Sequence, residues 1–354
     1  MIRFPFPVRV PPAAFLLVAA AVLTDALPAL EPPVNAGEWV ATVALVGILF
    51  DGGASIGWRR FRAAALPIAS LGVVGTFATA GVVACGCHWA LGLGWTTSGL
   101  LGAAIAPTDP AVMFSVLRGS ELPGRARTVL EGESGANDPV GIALVLGLIE
   151  LATHADETFW VVVRVFALQM AIGLVIGLAG GFALRRLPMR LTIPLVAAIY
   201  AVAAVADGSG FLAVFVAGVV AGDVRPPFEQ ERLSSLGEIV VFVVLGLTVG
   251  ISDISATRWL EGLGLAVFLT LIARPVAVRA LLWPTRLDAA EKRLITWGGL
   301  KGAVPILLAS FALAHHVDDA TRIYETVFVV VLASVVVQGL WLSTAVKRRA
   351  VRSA

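Results

Sequence analysis

Leu130-Glu-Gly-Glu-Ser-Gly-Ala-Asn-Asp-Pro139 carries Glu131, Glu133 and Asp138, and apolar stretches long enough to bury the run in lipid lie on both sides of it. A charged side chain at bilayer depth costs at least about 2.5–3.5 kcal/mol on insertion scales, so an acid kept there marks a working site. A second acid, Asp109, stands in Ala106-Pro-Thr-Asp-Pro110 of the preceding apolar stretch. Proline or glycine flanks both acids, and a helix broken at such residues frees backbone groups that can bind an ion.

The rest of the chain supplies the surroundings that such acids imply. Of 354 residues, 58% are hydrophobic and only 14% charged, with a mean hydropathy of +0.91. An ordinary soluble domain carries about 25% charged residues. Segments of the ~20 apolar residues needed to cross a ~30 Å hydrocarbon core fill the sequence. This predicts an all-α, multi-pass membrane protein in one transmembrane domain, with the lipid bilayer as its surroundings and no stretch left for a soluble or nucleic-acid-binding domain. Twelve segments are expected, at about 12–29, 38–57, 63–91, 97–117, 128–152, 159–184, 191–206, 209–222, 233–251, 257–283, 292–314 and 323–346. The seventh and eighth are short and joined by Asp207-Gly-Ser-Gly210, as in a helical hairpin. Cys85 and Cys87, in Ala84-Cys-Gly-Cys-His88, read as small packing residues, since no further ligands stand at metal-site spacing. The first segment contains Asp25 and lacks an Ala-x-Ala cleavage pattern, so no cleavable signal peptide is expected.

Charge orients these segments. One set of alternate connections holds Arg3 and Arg9, then Arg59, Arg60 and Arg62, then Arg118, Arg125 and Arg127, then Arg185, Arg186 and Arg190. It continues through Arg225 and Arg232 to Arg286, Lys292 and Arg293, and ends in the tail with Lys347, Arg348, Arg349 and Arg352. The other set has only Arg258 and Arg322. Basic loops stay in the cytoplasm, which predicts an inner-membrane protein with both termini cytoplasmic.

The chemistry concentrates in three segments. Pro107 and Pro110 bracket Thr108 and Asp109 in the fourth, where freed carbonyls and the Thr108 hydroxyl could coordinate a dehydrated monovalent cation. The eleventh, seven segments on, is interrupted by Trp297-Gly-Gly-Leu-Lys-Gly-Ala-Val-Pro305. Paired interrupted helices at matching positions of two halves point to a midplane site. In the fifth, Asp138 is the expected coupling acid, at which a cation and a proton compete, with Ser134 one turn before it on the same helix face as an oxygen ligand. Asn137 can donate a hydrogen bond but cannot titrate, so one proton per cation is expected, with no net charge moved. Glu133 needs a partner at depth, and Arg274 in Ala273-Arg-Pro275 is the best placed. Lys301 faces either the negative ends of broken helices or an acid. Asp51, at the end of the second segment, is either an acid at a cavity mouth or a surface charge. Glu131 is expected at the cytoplasmic mouth and His315 and His316 in an outer loop; Arg164 has no evident partner.

In family order, Leu49-Phe-Asp-Gly-Gly53, Thr108-Asp109, the 130–139 run, Ser209-Gly-Phe-Leu-Ala-Val214, Ala273-Arg-Pro275 and the 297–305 run resemble the monovalent cation:proton antiporter-1 family, especially its NhaP-like potassium/proton branch. The resemblance implies an inverted-repeat sodium or potassium/proton antiporter without a cofactor, with a mobile core bundle and a dimerising interface domain. It implies that Asp138, Ser134 and the Thr108 main chain bind the transported cation or proton, that Asp109 lies where the broken helices cross, and that Glu133 and Arg274 form a stabilising pair. Repeat one would be about 12–152, a linker helix 159–184 and repeat two 191–346. Two departures stand out. Lys301 replaces the family's usual Arg, which puts a two-pronged role in question. The family's usual first helix is also expected to be missing, which would weaken a homodimer, and the short tail leaves no room for a nucleotide-binding regulatory domain. Two rival readings are a cation channel, which would need a filter-like run, and an intramembrane hydrolase. The latter lacks both Gly-x-Ser-x-Gly around Ser134 and a histidine at depth.

Overall fold

Inside lipid a backbone must satisfy its own hydrogen bonds, which a helix does, and among the described residues the chain forms helices and no strand. The computed structural model describes residues 12–109, 112, 124–154, 156–224 and 230–340. Pro110, Arg118, Arg225, the charged termini and the ends of the fourth and twelfth expected segments lie outside them. The helices are α1 (Pro12–Ala26), α2 (Val34–Ala63), α3 (Ala65–Leu91), α4 (Trp95–Ile105), α5 (Gly124–Thr153), α6 (Trp160–Arg186) and α7 (Thr192–Val205). After these come α8 (Gly210–Gly222), α9 (Gln230–Leu247), α10 (Ala256–Leu282), α11 (Ala289–Trp297), α12 (Ala303–Ala314) and α13 (Ala320–Gln338). Six of them, α2, α3, α5, α6, α10 and α13, are long and apolar enough to cross a membrane.

One expected interruption is present, and two features depart from the segment pattern. The eleventh segment is two helices, α11 and α12, separated by a non-helical 298–302. Asp51 does not end a helix: α2 runs on to Ala63, and its break comes at Gly57, where φ is 69°. Hydropathy alone cannot tell that kink from a helix end. Finally, α3 and α10 each contain a π-helical turn, Ser70–Gly75 and Leu269–Ala273. These turns lie in the third and tenth segments, seven apart like the two interruptions.

Packing sorts the helices into two groups. In one, α2 lies against α8 and α9, α8 also packs on α6 and α7, and α1 packs on α9. In the other, α4 lies between α3 and α5, and α13 packs on α10 and α12. Small residues set a close crossing between α2 and α8. A Cβ on Gly218 would fall 2.3 Å from the Phe50 carbonyl oxygen, and one on Gly53 would fall 2.3 Å from that of Phe215. Without a hydrophobic drive between helices in lipid, such close backbone approach is a main source of attraction. Gly218→Val is therefore expected to destabilise the protein by about 1–3 kcal/mol, visible as a lower melting temperature in detergent. Unchanged melting would show that this crossing is not close-packed.

Candidate functional site

The site is where the two interruptions meet. α4 ends at Ile105, and Pro107 cannot supply an N–H to continue it. The chain is then non-helical through Thr108 to Asp109, whose N–H donates to the Leu300 carbonyl at 2.8 Å, so the two broken segments cross backbone to backbone. Glycine is required at 302, because a Cβ there would lie 1.8 Å from Asp109 Oδ2. The Asp109 carboxylate thus lies against the start of α12, the positive end of that helix, and its Oδ1 also accepts from the Val112 N–H at 3.2 Å.

Each helix that stops at the crossing leaves carbonyls without partners, and a buried cation takes them at both places. Lys301, 1% exposed, donates from Nζ to the carbonyls of Ala106 at 2.7 Å and Pro107 at 2.8 Å, just past the C-terminus of α4. Of the two partners expected for it, the negative helix end is the one found. A compact ammonium serves these two converging carbonyls without a fork. Arg274 does the same for α11, donating to Ile295 O at 3.0 Å and Thr296 O at 3.3 Å. It also meets Glu133 through two hydrogen bonds, Nη1 to Oε1 at 2.8 Å and Nη2 to Oε2 at 3.3 Å, with both side chains buried. The pair read from the sequence is therefore present, and Arg274 does not reach out to the membrane surface.

On α5, Ser134 and Asn137 hold Thr108 from the side. Thr108 and Ser134 share a hydroxyl–hydroxyl hydrogen bond of 2.9 Å. The Asn137 amide donates to Thr108 Oγ1 at 2.9 Å and accepts from the Thr108 N–H at 3.4 Å. Asp138, on the turn above Ser134, is 5% exposed, and its Oδ1 has no hydrogen-bond partner among the described residues. A buried acceptor left in that condition is costly, and the oxygen-rich corner beside it is suited to a hard cation.

Asp138 lines a cavity of about 200 Å³ on the seam between the two helix groups. One face of each of three helices forms it. α5 contributes Glu131, Ser134, Gly135 and Asp138; α2 contributes Leu45, Ile48, Leu49, Asp51, Gly52 and Ser55; α9 contributes Glu238, Val241 and Phe242. Asp109, Phe215 and the start of α12 complete it. Of its two readings, Asp51 takes the cavity one: it is 8% exposed and lines the wall. Glu238 was missed in the sequence, although an acid inside the ninth segment, with Val241 and Phe242 three and four residues on, was the available signal. Glu133, Arg274 and Asn137 lie behind the site, around a second void just large enough for one water. Glu131 meets Arg127 one turn away at 2.8 Å. His315 and His316 are exposed after α12. Arg164, for which the sequence offered no partner, pairs with Glu157 at 3.2 Å where α6 begins.

Interrupted, crossing helices are the architecture that the family resemblance implied, and comparison with known proteins shows the family and the fold. The family described as sodium/hydrogen exchanger, transmembrane, matches residues 4–348. The chain belongs to this family. It is 38% identical over 322 residues to the K(+)/H(+) antiporter NhaP of Alkalimonas amylolytica, covering 86% of this chain and 56% of that protein. It is 35% identical over 327 residues to the K(+)/H(+) antiporter NhaP2 of Shewanella sp. (strain ANA-3), covering 87% and 57%. The Na(+)/H(+) antiporter ApNhaP of Aphanothece halophytica is 27% identical over 340 residues, covering 88% and 64%. The chain thus spans little more than half the length of the curated relatives it matches. The solved structure of the sodium proton antiporter MjNhaP1 from Methanocaldococcus jannaschii at pH 8 superposes with a TM-score of 0.81 at 20% identity, covering 94% of this chain and 91% of that one. This exchanger-family chain therefore shares its helical fold.

Proposed function

We propose that the chain exchanges a monovalent cation, K+ or Na+, for a proton across the cell membrane, electroneutrally, by competition at Asp138. The observation that carries this is the buried Asp138 oxygen with no hydrogen-bond partner on the wall of a cavity, beside the Thr108 and Ser134 hydroxyls. A bare carboxylate in a low-dielectric site must be neutralised. The nearby fixed cations are already engaged, Lys301 with the end of α4 and Arg274 with Glu133 and the end of α11. A proton or a metal ion can neutralise Asp138, but not both together. If access switches from one face to the other only with the site filled, that exclusivity is sufficient for one-for-one exchange. The names of the relatives support both candidate cations.

In this reading Asp138, Ser134 and Thr108 hold the ion. Asn137 fixes Thr108, Asp109 and Lys301 hold the crossing together, and Glu133 with Arg274 ties α5 to α10 and α11. The two interruptions and the two π turns, each pair seven segments apart, support division into repeat one (12–152), linker (159–184) and repeat two (191–346). Two of the lining residues, Ser55 and Glu131, stand one turn from Arg59 and Arg127. This supports a cavity that opens on the arginine-rich side, with that side and both termini cytoplasmic under the positive-inside rule. A homodimer would cover part of the apolar face that α6 leaves exposed at Trp160, Val175 and Phe182.

The test uses everted vesicles holding a pH gradient and a pH dye, challenged with K+, Na+ and Li+ in turn. Cation addition is expected to dissipate the gradient equally well with the membrane potential clamped at zero or at a large value. The apparent KM for the cation should rise as pH falls, by up to about tenfold per unit where protons hold the site. A voltage-driven current would instead indicate a channel. A KM constant with pH would mean that proton and cation do not share Asp138.

A further inference from the structure

We propose that Gln338 of α13 is a positioning residue for transport: with Ser334 it bridges the two ends of the second interruption, and so fixes the backbone from which Lys301 reaches the first. The inference rests on the transport reading and adds to it a residue outside the cavity wall. Both side chains are buried. They lie in a third π-helical turn, Ser334–Gln338, at the end of α13. A relay of hydrogen bonds runs in one direction across the non-helical 298–302 segment. The Lys301 N–H donates to Ser334 Oγ at 2.9 Å, the Ser334 hydroxyl donates to Gln338 Oε1 at 3.0 Å, and Gln338 Nε2 donates to the Trp297 carbonyl at 3.2 Å. Bonds aligned head to tail strengthen one another. Thr270, in the π turn of α10, also donates to Gln338 Oε1, at 3.4 Å. Only a side chain that accepts and donates at once can close this relay, and an amide does both.

The consequence for the ion site passes through Lys301. Its N–H is set by Ser334, the neighbouring Leu300 carbonyl receives the Asp109 N–H, and its Nζ holds the carbonyls of Ala106 and Pro107, directly before Thr108. A shift of 298–302 therefore moves the Thr108 corner beside Asp138. Correspondence between the two repeats gives the same assignment. α13 is the twelfth segment and α5 the fifth, seven apart like the interruptions they hold. Ser134 and Asp138 stand four apart on α5, Ser334 and Gln338 four apart on α13, and each serine contacts the interruption of the segment before it. Where α5 carries an acid with Oδ1 unpartnered among the described residues, α13 carries an amide engaged through both its oxygen and its nitrogen. One helix binds the ion, and its counterpart holds the frame.

The test exploits the donor. A protonated glutamic acid reproduces the amide, with O–H in place of N–H, whereas its ionised form can only accept. In vesicles, the cation KM of Gln338→Glu is divided by that of the unsubstituted chain at the same pH. This ratio is expected to stay close to unity at acid pH, to climb by about tenfold as the new carboxyl ionises, and to fall again when the vesicles are returned to acid pH. Gln338→Leu should raise KM by about three- to tenfold at every pH, the worth of one or two lost hydrogen bonds. Ser334→Ala, which leaves Gln338 on Trp297 but releases the Lys301 N–H, should raise it by about threefold. Unchanged KM in Gln338→Leu and Ser334→Ala, whatever their yield, would overturn the proposal and make Gln338 a packing residue, as would a Gln338→Glu ratio that falls as pH rises. If the unsubstituted chain exchanged nothing, the transport reading itself would fall, a result distinct from either of these.

Discussion

Asp138→Asn is expected to abolish cation-driven proton release while leaving the protein as stable as before, or slightly more so. The side chain keeps its shape and loses its charge, and it can no longer take a proton in the relevant range. Pairing a desolvated ion with a carboxylate is worth several kcal/mol in a site of this kind. The exchange rate should therefore fall by about 100-fold or more at any attainable cation concentration. Stability should move the other way. Asp138 Oδ1 has no hydrogen-bond partner among the described residues, so the fold bears a desolvation cost that this oxygen does not recover. Melting in detergent separates this from a structural role: the variant should unfold at or above the temperature of the unsubstituted chain, and should lose the stabilisation that added K+ or Na+ gives. Substantial exchange by the variant would remove Asp138 from the centre of the mechanism. Inactivity together with early melting would make it a folding residue.

How much of this could be read in the sequence depends on where the partner of each residue lies. Asp138 and Ser134 are four apart on one helix, so their shared face follows from the period alone. Glu133 and Arg274 are 141 positions apart, yet a charge inside an apolar segment demands a partner, and few candidates exist. The interruption of the fourth segment could be located because proline enforces it. Lys301 was ambiguous for a different reason. Its partners are the backbone carbonyls of Ala106 and Pro107, and a carbonyl has no sequence signature. Asp51 was misjudged as the end of a helix because a glycine kink and a helix end look alike in hydropathy. Glu238 was passed over because a lone acid near an uncertain segment end resembles a surface charge, until α2 and α5 are seen to enclose the same space. Arg164 finds Glu157 across the start of α6, in a turn whose geometry no periodic pattern specifies.

Removing the Arg274 guanidinium tests the scaffold rather than the ion site, and its expected effect on stability is the largest in the molecule. Arg274→Met keeps most of the apolar stem and deletes four hydrogen bonds at once, two to Glu133 and one each to Ile295 O and Thr296 O. Glu133 is then a buried carboxylate with no counter-charge in contact, a situation that costs about 3–5 kcal/mol. The end of α11 also loses its cap beside the crossing. That sum is comparable with the whole stability of many folded proteins, so the protein should largely disappear from the membrane fraction. Glu133→Gln should be milder, because the amide oxygen can still accept from Arg274. The double variant Glu133→Leu/Arg274→Met provides the sharper measurement. If the damage comes from the stranded charge, removing both partners should recover part of the yield that Arg274→Met loses, a non-additivity that a pair acting independently would not give. Where protein survives, cation KM should shift less than about threefold, since Arg274 lies behind the site and outside the cavity wall. A stable Arg274→Met protein with weakened cation binding would reverse the assignment, placing the guanidinium in the ion's field and leaving the crossing to be held by Asp109 and Lys301.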